Sequence, residues 1–238
     1  DFVADGSVAY SIVLGAATSG DLQYSGFDPA DVSATNGDND LVGISVSPTA
    51  GLVTTELGGT TSFSVRLNSQ PTADVSIAVS SDDLTEGSPS PGSLTFTAAN
   101  WNLPHAVIIT GADDLVADGA IGYSIVLAAA TSADLGYAGQ DAPDVSVSNT
   151  DNDAAGITVT PTAGLLTSET GSSASFTVQL TSEPTADVGI PVSSGNTAEG
   201  TVAPASLTFT AANWNLPQTI TVTGVDDPSV DGTVAYTV

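Results

Sequence analysis

The sequence predicts an all-β chain built from tandem antiparallel β-sandwiches, and three observations predict it. Apolar residues alternate with Ser and Thr in short runs from end to end. Turn residues punctuate the runs at regular intervals, and no stretch carries a convincing helical period. The third observation is repetition: Asp38-Asn39-Asp40 returns unchanged as Asp151-Asn152-Asp153, 113 residues later. The same step carries Trp101 onto Trp214, Asp114 onto Asp227, and Asp5 through Asp118 to Asp231. A fixed period without drift means one folded unit used again, and 113 residues suffice for a domain with its own core. The expected organisation is a truncated repeat over 1–37, matching 114–150, a complete repeat over 38–150, and a second truncated repeat over 151–238 that lacks its last strand or strands.

Within the complete repeat, Ile44 and Val46 alternate with Ser45 and Ser47, a first strand that stops near Pro48 and resumes through Leu52 and Val53. Phe63, Val65 and Leu67 alternate with Ser64 and Arg66, so the second strand points its arginine outward. Asn68-Ser69-Gln70-Pro71 turns the chain. Val75, Ile77 and Val79 make the third strand, and a loop rich in Ser, Asp, Gly and Pro separates it from a fourth at Leu94 and Phe96. The turn around Trp101 leads to a fifth strand at Val107 and Ile109, a sixth at Ile121, Tyr123, Ile125 and Leu127, and a seventh at Val145 and Val147. Seven such strands suit an immunoglobulin-like sandwich, with Thr and Ser covering the outside. The second copy should end at Val238 within its sixth strand.

Strand direction then places the acids. If successive strands alternate up and down, strands one, three, five and seven finish at one pole. Glu56 follows the first, Asp82, Asp83 and Glu86 the third, Asp113, Asp114 and Asp118 the fifth, and Asp151 and Asp153 the seventh. The second copy repeats the set with Glu169, Glu199, Asp226, Asp227 and Asp231, the first fragment with Asp1 and Asp5, and the start of the complete repeat with Asp38 and Asp40. Asn68 to Thr72, the Trp101 turn and the loop from Thr131 to Pro143 fall at the opposite pole.

Composition narrows the partners. Asp and Glu number 27 against one basic residue, Arg66, with a single histidine, His105. Such a chain repels nucleic acid. The absence of Cys excludes disulfides and zinc-thiolate sites, and the absence of Lys excludes Lys-Asn isopeptide crosslinks. The longest apolar run, around Ile125-Val126-Leu127-Ala128, is far too short to cross a bilayer. The expectation is a window from a longer array, with donation of strands between identical chains as the alternative account of the two incomplete ends.

The order of Gly43-Ile44-Ser45-Val46, Glu56 before Phe63-Ser64-Val65-Arg66-Leu67, Leu94-Thr95-Phe96, Asp113-Asp114 with Asp118, and the closing Asp151-Asn152-Asp153 resembles the Calx-beta family of sodium-calcium exchangers, an integrin subunit and bacterial surface proteins. The resemblance spans the complete repeat and the matching parts of both truncated ones. It implies calcium bound by Glu56, Asp113, Asp114, Asp118, Asp151 and Asp153. There are departures: Gly119 and Ala120 follow Asp118 where the family often has more acids, Asn152 interrupts the closing run, and Asp82-Asp83 becomes Gly195-Asn196 in the second copy. Fewer carboxylates imply fewer ions or weaker binding.

Ligand chemistry points to calcium without the family. Carboxylates about 4 Å apart repel by roughly 4 kcal/mol per pair at an effective dielectric near 20. A hard cation that takes about six to eight oxygens relieves that repulsion. All candidate ligands offer oxygen, which disfavours zinc and copper; Asp83 joins them for the loop after strand three. The alternative is a hydrated, salt-tolerant acidic cap. The loop from Asp38 is no EF-hand, because its twelfth position is Thr49 where a bidentate Glu is needed. A cadherin-like joint would share the Asp-Asn-Asp linker but lacks its other ligand motifs here.

Catalysis has little to build on. His105 is replaced by Gln218 in the next copy and reads as an exposed strand residue. Paired carboxylates also occur in glycosidases, but clustering at a repeated pole with no cleft implied favours a metal. Trp101 and Trp214 could stack on sugars; the plainer reading is that each plugs the end of its sandwich. The function expected is a non-catalytic, calcium-stabilised spacer repeat of a long secreted or bacterial cell-surface adhesin, filament or matrix protein. The alternatives are a carbohydrate-binding accessory module and a strand-donating filament subunit. Partners would be neighbouring repeats or identical chains in a fibre, with glycans and other surface proteins as further candidates, and neither nucleic acid nor membrane insertion.

Overall fold

A computed structural model describes residues 1–230 and 232–238. Those residues form strands and turns without a helix. They divide into two compact units, one made of 1–54, 59–111 and 122–148, the other of 55–58, 112–121 and 149–238.

The first unit opens with a two-stranded hairpin, β1 (Val8–Ile12) and β2 (Val32–Asn36), paired so that Tyr10 faces Ala34. The strands that follow are β3 (Ile44–Ser47), β4 (Leu52–Thr55), β5 (Thr60–Leu67), β6 (Val75–Ser81), β7 (Gly87–Ser90), β8 (Ser93–Phe96), β9 (His105–Gly111), β10 (Ile121–Leu127), β11 (Thr131–Ser132) and β12 (Val145–Thr150). They make two antiparallel-paired sheets. One has the order β3-β5-β9-β7, and the other β11-β6-β10-β12-β4, with β8 also paired to β6. Period-two alternation sends Phe63, Val65 and Leu67 of β5 inward and leaves Arg66 exposed. The same alternation buries Val75 and Ile77, Val107 and Ile109, Tyr123, Ile125 and Leu127, and Val145 and Val147. These side chains form one core between the sheets, the arrangement of an immunoglobulin-like sandwich.

Three details differ from the sequence expectation. The two halves of the first strand enter different sheets, since β3 pairs with β5 whereas β4 lies beside β12. The loop expected between the third and fourth strands contains β7, which pairs with β9. Its Gly-Ser-Pro-Ser sequence has no apolar alternation to betray it; backbone pairing to β9 makes it a strand. His105 is not simply exposed: it is half-buried and its ring stacks on Phe96 at 4.4 Å.

Residues at the expected far pole do meet. The Tyr137 hydroxyl, on a buried ring, donates to the Ser69 carbonyl at 2.7 Å and accepts from the Ser69 backbone N–H at 3.0 Å. Asp134 accepts from the Thr72 N–H at 2.7 Å. Its carboxyl is lowered overall, with burial working against the donated hydrogen bonds from Thr72 and Gly136. Trp101 packs half-buried against the core, and its carbonyl accepts from the Leu67 N–H at 2.9 Å.

The second unit carries β13 (Ile157–Thr160), β14 (Ser173–Leu180), β15 (Val188–Pro191), β16 (Gly200–Ala203), β17 (Ser206–Phe209) and β18 (Gln218–Gly224). The sheet order β13-β14-β18-β16 and the pair β15-β17 repeat the pairings of the first unit, each residue displaced by 113 positions. Phe176, Val178, Leu180, Leu207, Phe209, Ile220 and Val222 form its core. Residues 232–238 are not a strand, which differs from the expected sixth strand. They nevertheless begin along its path, because the Gly195 N–H donates to the Thr237 carbonyl at 2.7 Å just as the Asp82 N–H donates to that of Ser124.

Candidate metal centre

Three loops of the second unit converge around Glu56. Thr55 ends β4, and Glu56, only 3% exposed, turns inward. Its N–H donates to the Thr150 carbonyl at 3.1 Å, which ties this loop to the end of β12. Its Oε2 accepts from the Asn152 N–H at 3.0 Å.

Asp151 is held from two sides. Oδ1 accepts from the Asp153 N–H at 2.6 Å, closing an Asx turn, and Oδ2 accepts from the Gly119 N–H at 2.7 Å. Gly119 has φ of 81°, a left-handed conformation that glycine adopts without steric cost. Asn152 adds a bridge, its side-chain N–H donating to Asp113 Oδ1 at 3.1 Å. Asp114 Oδ1 accepts from the Val116 N–H at 2.8 Å, shaping the loop that follows β9.

Glu56, Asp151 and Asp153 each bring one carboxylate oxygen within 4.8 Å of the others. Burial raises the Glu56 carboxyl, the Asn152 N–H counteracts it, and the charges of Asp151, Asp114 and Asp118 raise it further. Asp153 is raised too, first by desolvation and then by Asp151, Asp113 and Asp114. Asp151 is lowered, because the N–H groups of Asp153 and Gly119 stabilise its charged form. One atom stands out. Asp153 Oδ2 is buried and accepts no hydrogen bond among the described residues. A buried carboxylate oxygen without a donor carries an uncompensated desolvation cost, and a cation would remove it. The donor set is all oxygen and carries several negative charges, which suits a hard divalent cation such as calcium.

Of the candidate ligands, then, Glu56, Asp113, Asp114, Asp118, Asp151 and Asp153 interact with one another. Asp83 instead caps its own turn, accepting from the Thr85 N–H at 3.0 Å and from its hydroxyl, which lowers its carboxyl. Asp38 repeats the Asp151 arrangement, accepting from the Gly6 N–H at 2.7 Å and the Asp40 N–H at 2.9 Å, and these bonds lower it. Asp1 and Asp5 are exposed, Asp5 directly preceding the Gly6 that bonds Asp38 and Asp1 accepting from the Val3 N–H at 3.1 Å. Glu169 and Asp226 are exposed, and Asp227 accepts from the Ser229 N–H at 2.7 Å. Asp231 lies outside the described residues. The sequence reading gave Asn152 no role beyond interrupting an acidic run, whereas it links Glu56 to Asp113. It also left Glu86 outside the ligand set. Glu86 is buried in the first unit, near enough to add to the raised Tyr123 hydroxyl, which burial raises first and a hydrogen bond with Thr54 moderates.

No family model matches the chain. No curated protein matches it either. Among solved structures it is similar to the periplasmic chaperone SfaE, at 14% identity and a TM-score of 0.36 over 46% of this chain. The chain spans 58% of that chaperone's length. It is similar to the calcium binding domain CBD12 of CALX1.1, at 17% identity and a TM-score of 0.37, over 75% of this chain and 74% of that one. It is also similar to the CsuC-CsuE chaperone-tip adhesion subunit complex of Acinetobacter baumannii, at 8% identity and a TM-score of 0.34, over 79% of this chain and 90% of that one. At this distance the site has to be judged by its own residues.

Proposed function

We propose that the chain is a non-catalytic, calcium-stabilised spacer repeat of a long secreted or cell-surface adhesin, filament or matrix protein. The buried, donor-less Asp153 Oδ2 beside Glu56 and Asp151 carries the reading. Glu56, Asp151 and Asp153 would hold the ion, with Asp113, Asp114 and Asp118 adding charge around it. Bound calcium neutralises the mutual repulsion of these groups and so fixes three loops that otherwise push apart.

Two further observations support a spacer. The Phe2 carbonyl accepts from the Gln70 N–H at 2.7 Å, and 113 positions on the Leu115 carbonyl accepts from the Glu183 N–H at 2.6 Å. A link that recurs in phase with the repeat is what a propagating array needs. Trp101 is half-buried against the core with the Phe2 ring 6.0 Å away, an arrangement that plugs the sandwich and leaves less ring for a sugar. His105, stacked on Phe96 and replaced by Gln218, supports the non-catalytic assignment.

Calorimetric titration of the chelated chain with calcium tests this. Saturable heat and a raised melting temperature are expected. Heat equal to dilution, with an unchanged melt, would leave only a hydrated acidic cap.

A further inference from the structure

The first strand of the complete repeat changes sheets, and Pro48 and Gly51 make it do so. Pro48 follows β3 and has no N–H with which to continue the pairing to β5. Gly51, at φ of 76°, turns the chain in a conformation that a side chain would resist. β4 then resumes beside β12. Pro161 and Gly164 stand 113 positions on, so the same break recurs in the second copy.

Two hydrogen bonds fix the direction of the resumed pairing. The Ser146 N–H donates to the Thr49 carbonyl at 3.0 Å, and the Glu56 N–H to the Thr150 carbonyl at 3.1 Å. Residue numbers climb together on both sides, so β4 and β12 run the same way, whereas β6 runs antiparallel to β8, β10 and β11. One of the two is the chain's way into the sandwich and the other its way out. The chain comes to β3 and β4 from Gly43, whose carbonyl accepts from the Asn68 N–H at 2.9 Å, and it leaves β12 through Asp151, beside Glu56. Glu56 holds this outgoing segment twice, by its N–H on Thr150 and by its carboxylate, which accepts from the Asn152 N–H at 3.0 Å.

We propose that the β4–β12 pairing is a load-bearing clamp, in which tension along the chain drags the two strands past each other lengthwise and is divided among their hydrogen bonds. The reason is their direction. Tension pulls β4 back through its start and β12 forward through its end. All the rungs between them are strained by the same displacement, and the pair holds until several fail together. Had the entering and leaving strands run opposite ways, the two pulled ends would lie side by side and the rungs would fail singly, each of them weak alone. That the clamp is loaded in use rests on the spacer reading above; the clamp itself rests on strand direction. Calcium held by Glu56, Asp151 and Asp153 ties the ends of the same two strands and adds to the resistance.

Force spectroscopy on the full 238-residue chain tests this. The sequence has no cysteine, so a pair of introduced ones sets the points of attachment. Leu41→Cys with Ala155→Cys, at exposed residues outside the strands, pulls along the clamp. Leu57→Cys with Ala155→Cys, equally exposed, pulls the ends of the same two strands apart from one side. At one loading rate in chelator, the first pair should need about twofold more force or greater to open the repeat, because several hydrogen bonds share the load that the second geometry places on one. Matched melting temperatures of the two variants ensure that the difference is one of direction. Equal forces, or a stronger second pair, would overturn the clamp. Calcium should raise the force in both geometries. A directional difference in chelator with no gain from calcium would leave the clamp standing and overturn the calcium reading on its own.

Discussion

The backbone N–H of Asn152 donates to Glu56 Oε2 at 3.0 Å, joining residues 96 positions apart at the centre of the acidic cluster. Glu56 therefore answers to two opposed demands: its charge is needed by a cation, and that same charge is disfavoured by burial and by Asp151, Asp114 and Asp118. Glu56→Gln keeps the shape, removes one charge and still accepts from Asn152. The chelated variant should melt higher than the native chain, while calcium affinity falls by about tenfold or more for the lost carboxylate. Calorimetry and thermal melts on one preparation read both quantities. A lower melt in chelator with calcium affinity unchanged would mean that Glu56 serves the fold alone.

Acid should act in opposite directions with and without calcium. Glu56 is raised above its ordinary 4.5 and Asp153 above 3.8, so each binds its proton more tightly folded than unfolded. In chelator their ionisation burdens the fold at neutral pH, and the burden lifts as pH falls through the raised folded values toward the ordinary ones. Stability should rise over that window. Asp151 and Asp38 are lowered, and their contribution is lost only further down, as pH falls below 3.8 through their folded values. With calcium bound, protons compete for the ligands and acidification should weaken binding throughout. Melting temperature against pH in chelator and in calcium should give curves that converge on the acid side. Parallel curves would dissociate the cluster from metal binding.

Charge position should matter more than charge amount. Asp114 raises both Glu56 and Asp153, while Asp74 is exposed just before β6. Asp114→Ala should weaken calcium binding several-fold more than Asp74→Ala, measured by titration at matched ionic strength. Equal losses would mean that the ions are held by diffuse charge.

Next to the buried Glu86, Gly87 is a steric requirement. A methyl group there would meet the Tyr123 hydroxyl and lie 3.0 Å from the Thr110 carbonyl. Gly87→Ala should cost about 1–3 kcal/mol of unfolding free energy by overpacking. Tyr123→Phe removes the clashing oxygen, so it should be less costly in the Gly87→Ala background than alone. Additive costs in a double-mutant cycle would rule out the clash.

Legibility in the sequence followed the physical source of each element. Strands held by side-chain burial announced themselves: Phe63, Val65 and Leu67 alternate with polar residues and are buried as the pattern requires. β7 did not, because Gly87-Ser88-Pro89-Ser90 is a strand through its backbone bonds to β9, and side-chain pattern carries no record of those. His105 resisted for a related reason. Alternation assigns a face, whereas its stacking on Phe96 depends on how β8 returns to that neighbourhood. In the acidic cluster, the repeated Asp-Asn-Asp and the order of strands pointed to the loops that meet. Asn152 was hidden because its contribution lies partly in a backbone N–H, which every residue but proline possesses. The lone oxygen of Asp153 was hidden as well, since burial of a single atom is a property of packed loops.

β7 and β8 are separated only by Pro91 and Gly92, yet β7 bonds to β9 in one sheet and β8 to β6 in the other. β16 and β17 repeat the crossing in the second unit, bonding to β18 and β15. One run of backbone thus laces the two layers of each sandwich. Layers held only by apolar contact can slip, because that attraction has no direction. A laced pair cannot slide far without stretching the lace, which loads a row of hydrogen bonds in shear, all at once, instead of peeling them one by one. The crossing strand therefore serves as a mechanical key, locking layer against layer where the side-chain pattern is weakest.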